Sequence, residues 1–220
     1  MNMCSLKKKK NCISNKGMTL IEMIVSFALL AIFLASAAAI IGTITSMYFE
    51  IKGENYSRQV SDIVMEKVES EIDGSKYKVG NDKENLRILS TATSDSNDSE
   101  EKGRALILTD KTNTKIKLYS DPDSKELIIH YYPIGDSYEA TDWKFDKSVY
   151  NHFSIEELYF IRGDKIGDDS VGIDISEYGL EGISAGTYGK EIVGVFLKIH
   201  SSRYGDYYSY RLVKMYNYSE

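Results

Sequence analysis

Cysteine is nearly missing from this 220-residue chain: Cys4 and Cys12 are the only two, and both precede residue 17. No disulfide or cysteine-bound metal can hold together the sequence that follows them. Proline is limited to Pro122 and Pro133, and the histidines His130, His152 and His200 show no His-x-x-x-His spacing. That removes the usual signature of a zinc site, and without a Gly-x-Ser-x-Gly elbow nucleophilic catalysis has no visible carrier. Positive charge is also short. The formal net charge is −6, yet residues 1–17 hold five lysines (Lys7, Lys8, Lys9, Lys10, Lys16) and no acid. From Met18 onward 22 basic residues face 33 acidic ones, a formal −11. Such a surface is not expected to bind nucleic acid generally, because that binding displaces counterions from phosphates with positive groups. No cofactor and no metal is expected.

Charge of either sign is absent from Met23 to Phe49, 27 positions that also lack proline. As a helix this run covers about 40 Å, more than the roughly 30 Å hydrocarbon core of a bilayer. The Lys7–Lys10 cluster before it and the acidic sequence from Glu50 after it predict a cytoplasmic amino terminus and an exported remainder. A secretory signal peptide has a shorter apolar core followed by its cleavage site. Here the candidate site comes first, in Lys16-Gly17-Met18-Thr19-Leu20-Ile21-Glu22.

Gly-Met-Thr-Leu-Ile-Glu at the border of a basic tail and a long apolar run resembles the class III leader of type IV prepilins and type II secretion pseudopilins. The resemblance covers about residues 1–55. It implies cleavage after Gly17 by a prepilin peptidase, N-methylation of the new terminus at Met18, and retention of the helix as the assembly element. It also implies that Glu22 neutralises the terminal amine of a neighbouring subunit. The residues agree with that role: a carboxylate costs on the order of 2.5–3.5 kcal/mol at the centre of a membrane helix and is seldom kept without a partner. The Met18 α-amine freed by cleavage stands at i,i+4 from Glu22. Small residues including Ser26, Ala28, Ala31, Ala35 and Gly42 leave grooves for neighbouring helices. The helix-breaking proline of many filament-forming pilins is missing, and Gly42 is the one intrinsic weak point.

Beyond the apolar run Met47, Ile51, Tyr56, Val60, Ile63, Val64, Val68 and Ile72 continue a helical stripe, which stops at Asp73-Gly74-Ser75. Gly53 weakens this part locally. Short apolar or alternating runs follow at 86–90, 104–109, 115–119, 126–132, 158–162, 192–200 and 207–215, and read as strands. In 192–200 Val193, Val195, Leu197 and Ile199 share one face, the pattern of a half-buried antiparallel strand. The acidic stretch 94–101 and the glycine-rich stretch 163–189 read as loose loops, and Asp164, Asp168, Asp169 and Asp174 do not have EF-hand spacing. Of the 17 tyrosines, all after residue 47, many crowd between Tyr204 and Tyr218, which suits sheet packing or a contact edge between subunits.

The expected fold class is therefore α+β: a long amino-terminal helix, membrane-spanning in its first half, on a carboxy-terminal antiparallel sheet, in the manner of pilins. The expected segments are a leader at 1–17, an apolar helix at 18–49, its amphipathic continuation at 50–73 and an extracytoplasmic β domain at 74–220. The expected role is a structural subunit, a minor pilin or pseudopilin, rather than an enzyme. Its partners would be other pilin subunits, the prepilin peptidase, the assembly platform and the membrane. It would lie first in the cytoplasmic membrane and then in a surface filament. The competing reading is an extracytoplasmic binding or enzymatic domain on an uncleaved anchor.

Overall fold

The computed structural model describes residues 18–77, 86–92, 101–132, 139–168, 175–180 and 182–217. Gly17, both cysteines, Asp169, Asp174 and most of the acidic stretch 94–101 lie outside them. One helix, α1 (Leu20–Asp73), runs through two compact units that divide between Phe49 and Glu50.

In the second unit α1 buries Val60, Val64, Met65, Val68 and Ile72 at three- and four-residue spacing. At about 1.5–3 kcal/mol per fully buried apolar side chain, this stripe contributes on the order of 10 kcal/mol before conformational entropy is set against it. The stripe starts later than its sequence pattern, since Met47 and Ile51 stay exposed. The helix stops where the Asp-Gly-Ser signal lies. There Gly74 N–H donates to Ser70 O (3.1 Å) and Ser75 N–H to Ile72 O (3.0 Å), a tightened last turn that satisfies terminal carbonyls.

Two antiparallel sheets cover the part of α1 that lies in the second unit. One has the order β2 (Leu86–Leu89), β4 (Ala105–Thr109), β5 (Lys115–Ser120), β6 (Leu127–Tyr131), β7 (Thr141–Lys144). The other has the order β10 (Gly205–Lys214), β9 (Ile192–Ser201), β8 (Ser154–Arg162), β3 (Lys102–Gly103). A two-residue parallel pair, β1 (Lys76–Tyr77) with β11 (Tyr216–Asn217), ties the segment after the helix to the last strand described. The chain changes sheets at Arg104, whose N–H donates to Leu89 O (2.9 Å). A Cβ on Gly103 would lie 1.9 Å from that same oxygen, so only glycine allows the crossing. A four-residue helix, α2 (Lys147–Tyr150), is capped by Asp146, which accepts from Ser148 N–H.

The inner faces of both sheets meet the α1 stripe in one core that includes Ile88, Leu106, Leu108, Leu118, Ile129, Leu158, Phe160, Val195, Leu197 and Ile199. Polar ties flank it. Ser61 and Ser209 hydroxyls lie 2.5 Å apart, and Arg211 reaches Asp62 (3.5 Å) and Glu69. On the opposite side Tyr131 donates to Glu71 (2.8 Å), Lys67 pairs with Glu71 (2.5 Å), and the Lys67 ammonium lies 4.7 Å from the Trp143 ring centre.

Two expectations need correction. β9 is buried on both faces from Val193 to Leu197 rather than half-buried throughout, because Ile166, Tyr178 and Leu180 from the glycine-rich stretch cover Phe196 and, on β8, Ile161, while Lys198 and His200 stay partly exposed. The described residues of that stretch include 3₁₀ turns at Gly163–Lys165 and Ile175–Tyr178, and their apolar side chains anchor them to the outer face of the sheet.

Candidate functional site: an apolar helix with a capped amino end

The first unit contains nothing among its described residues except the start of α1 and the two residues before it. Its large apolar side chains, from Leu20, Ile21 and Met23 through Phe27, Leu30 and Phe33 to Ile44, are all exposed. Among the described residues α1 is the one helix long and apolar enough to cross a membrane, and none of its most apolar window is buried. Surface of that kind demands lipid or other helices around it.

The polar groups within the run satisfy themselves. Ser26, Ser36, Thr43, Thr45 and Ser46 hydroxyls donate to the carbonyls four residues earlier, at 2.7–3.2 Å. A helix in hydrocarbon has no water to do this for it.

The amino end is closed by a reciprocal arrangement. Thr19 N–H and Thr19 Oγ1–H both donate to Glu22 Oε2, at 2.8 and 2.9 Å, while Glu22 N–H donates to Thr19 Oγ1 at 3.3 Å. This is a capping box: two otherwise unpaired amide donors are satisfied, and the carboxylate sits at the positive end of the helix dipole. The sequence reading placed Glu22 against the Met18 amine and missed Thr19. The Thr-x-x-Glu spacing before an apolar run was the signal available. Met18 itself is exposed.

The other polar residues singled out in the sequence go to structural duties. Asp164 accepts from Arg162 (2.6 Å), and Asp168 lies 3.8 Å from Lys165. His130 contacts Asp142 (2.5 Å) and His200 contacts Asp206 (2.6 Å), each pair joining neighbouring strands, while His152 takes a left-handed conformation after α2. Among the described residues no three metal-ligating side chains converge.

An exposed apolar helix, continuing into a half packed on antiparallel sheets, defines a membrane-anchored α+β protein of pilin-like architecture. Residues 13–38 match the prokaryotic N-terminal methylation motif, so the chain carries the class III leader of type IV pilins and pseudopilins. That leader supports a type IV pilin- or pseudopilin-like precursor, and the apolar helix behind it fits a membrane-anchored one. No curated protein and no solved structure matches the chain.

Proposed function

We propose that the protein is a minor pilin or pseudopilin, cut after Gly17 and methylated at Met18, and built into a filament through the helix that begins there. The observation that carries this reading is the pairing of a methylation-type leader with a helix whose apolar side chains are uncovered up to Ile51 and buried from Val60 onward. A plain anchor needs the first part alone. The lysines of residues 1–17 would keep the amino terminus cytoplasmic, and the domain from Glu50 onward would be exported.

Glu22 is assigned the assembly role. In the single chain its carboxylate is held by Thr19; in a filament it would exchange part of that bonding for the Met18 amine of a neighbour. The long domain without cysteine favours a minor rather than a major subunit. Mass spectrometry of the protein purified from its source tests the proposal: the expected chain begins at N-methylated Met18. A chain that retains residues 2–17 would show an uncleaved anchor instead.

A further inference from the structure

The two sheets are bounded by four edge strands, β2 and β7 in one and β3 and β10 in the other, and β10 differs from the rest: β2 has four residues and β3 has two. β7 has four residues, Thr-Asp-Trp-Lys, with charged Asp142 and Lys144 on the edge. It is short and charged, as protected edges are. β10 has ten residues and pairs without interruption to β9, from Gly205 opposite Ser201 to Lys214 opposite Ile192. It has no proline and no bulge to interrupt it, and on its other side it has no strand partner among the described residues until β11 meets β1 beyond Lys214.

Alternation places Asp206, Tyr208, Tyr210, Leu212 and Lys214 on the outer face of β10. Tyr208 and Leu212 pack on the outer cluster around Phe196, and Tyr210 stacks on Phe196 with ring centres 6.3 Å apart. Tyr210 is 37% exposed, and all other large apolar side chains that are exposed among the described residues fall between Met18 and Ile51. Arg211 on the inner face is paired within the chain with Asp62 and Glu69, and Asp206 on the outer face already contacts Lys198 (3.2 Å) and His200 (2.6 Å), so a lysine of a second copy would join a shared cluster there.

We propose that β10 is an interface between two copies of this chain, which pair antiparallel along their edges about a two-fold axis through Tyr210. The strand is complementary to itself in that register. Asp206 faces Lys214 of the second copy at both ends, Tyr208 faces Leu212, and Tyr210 meets its own counterpart on the axis. Opposite charges and aromatic–aliphatic pairs placed directly across a ladder are the contacts that stabilise antiparallel pairing, and a two-fold interface uses one patch twice. A register shifted by two residues loses both charge pairs.

The orientation has a consequence. β10 runs in the same direction as the packed half of α1, with Tyr204 against Gly53, Ser209 against Ser61 and Arg211 against Glu69. The two-fold therefore sets the packed halves of the two helices antiparallel. The dimer is a property of the unit from Glu50 onward and does not depend on the pilin reading.

The test uses the full chain in detergent, with Cys4 and Cys12 replaced by serine. Directly opposed residues of an antiparallel pair have Cα atoms about 4.5–5.5 Å apart, within disulfide reach. Tyr210→Cys is expected to form a disulfide-linked dimer about tenfold or more faster than Asp123→Cys on the exposed β5–β6 turn, because pairing raises the local thiol concentration. Asp206→Lys or Lys214→Asp alone is expected to slow that reaction by about tenfold, by turning two attractive pairs into repulsive ones. The double swap, or a mixture of the two single variants, should restore it. Equal rates at positions 210 and 123 overturn the proposal, as does failure of both the double swap and the mixture to recover. Leader cleavage is scored on the same samples after expression in the source, so a failure of the pilin reading shows separately.

Discussion

Gly53 looks like a weak point in a helix, yet a Cβ there would lie 2.4 Å from Tyr204 Cδ1 and 3.1 Å from Tyr204 Cβ. The tyrosine cannot swing aside freely, because its ring is stacked on Phe153 at 5.9 Å between centres. Gly53→Ala gains about 1 kcal/mol of helix propensity and forces an overpacked contact that costs about 1–3 kcal/mol. The expected result is a net destabilisation of about 1 kcal/mol, read from the denaturation midpoint of the globular unit, whereas in a Tyr204→Ala background the same change should stabilise by about 1 kcal/mol. A stabilised Gly53→Ala variant would mean that the ring yields. Tyr150 makes a second residue-scale test. Its hydroxyl accepts the buried Leu127 N–H at 2.8 Å. Burial above all pushes its pKa up to about 12, with the nearby Glu126 charge adding to the rise and the Leu127 bond opposing it. The folded protein thus holds this proton more tightly than the unfolded chain, whose tyrosines titrate near 10. Stability from this group is whole below about pH 10 and declines as pH rises toward 12. Burial raises Tyr131 and Tyr178 as well, so Tyr150→Phe should make the alkaline decline shallower without abolishing it. At neutral pH the same change should cost about 1–3 kcal/mol, because the Leu127 N–H loses its acceptor. Urea midpoints between pH 7 and 11 read both effects.

At the scale of elements, Thr19 and Glu22 decide how the membrane helix begins. Thr19→Val removes the hydroxyl that accepts Glu22 N–H and donates to its carboxylate, at a cost of about 1 kcal/mol for a lost cap. Amide exchange at Glu22 in liposome-inserted protein should then rise about fivefold, while the amides from Val25 onward keep their protection. Unchanged exchange at Glu22 would mean that the first turn is held by something other than the capping box. This cap was written in the sequence as Thr-x-x-Glu but stood in the shadow of the processing motif. The other elements divide by the same logic. α1 was legible because its apolar residues repeat at three and four and its end carries Asp-Gly-Ser. β4, β5, β6 and β9 were legible because apolar residues run along them between clear turns. β7 was not, since Thr-Asp-Trp-Lys has neither alternation nor a long apolar run and is a strand only by pairing with β6. β3 and β1 are two residues each, and the first half of β8, Ser154–Glu157, is disguised by the irregularity between Ile155 and Glu157. The anchoring of the glycine-rich stretch was illegible because Tyr178 finds Phe196 only after the sheet exists, with ring centres 5.1 Å apart.

At the scale of the whole molecule, the division between Phe49 and Glu50 separates a part whose apolar side chains are uncovered from a part that buries its own. All of the α1 side chains that are buried lie from Gly53 onward, and they are covered by strands of their own unit. The fragment Glu50–Glu220 should therefore be soluble and melt cooperatively, since it leaves behind every large exposed apolar residue of the helix except Ile51. A later start tests the helix contribution directly. A fragment beginning at Tyr56 removes Gly53, the residue against which Tyr204 packs, and leaves that ring and Phe153 less covered. It should still fold but melt lower, by about 4–8 °C for each kcal/mol lost. A fragment beginning at Glu66 removes Val60, Val64 and Met65 from the core, and the sheets should then lose cooperative folding altogether, because each large buried side chain removed costs about 2–5 kcal/mol against a total of about 5–15. Circular dichroism melts of the three fragments give the order. If the Glu66 fragment melts as cooperatively as the Glu50 fragment, the sheets form a self-sufficient domain and the packed half of α1 is an accessory to it. The expected graded loss would mean instead that the helix whose first half is uncovered is also the spine of the globular unit.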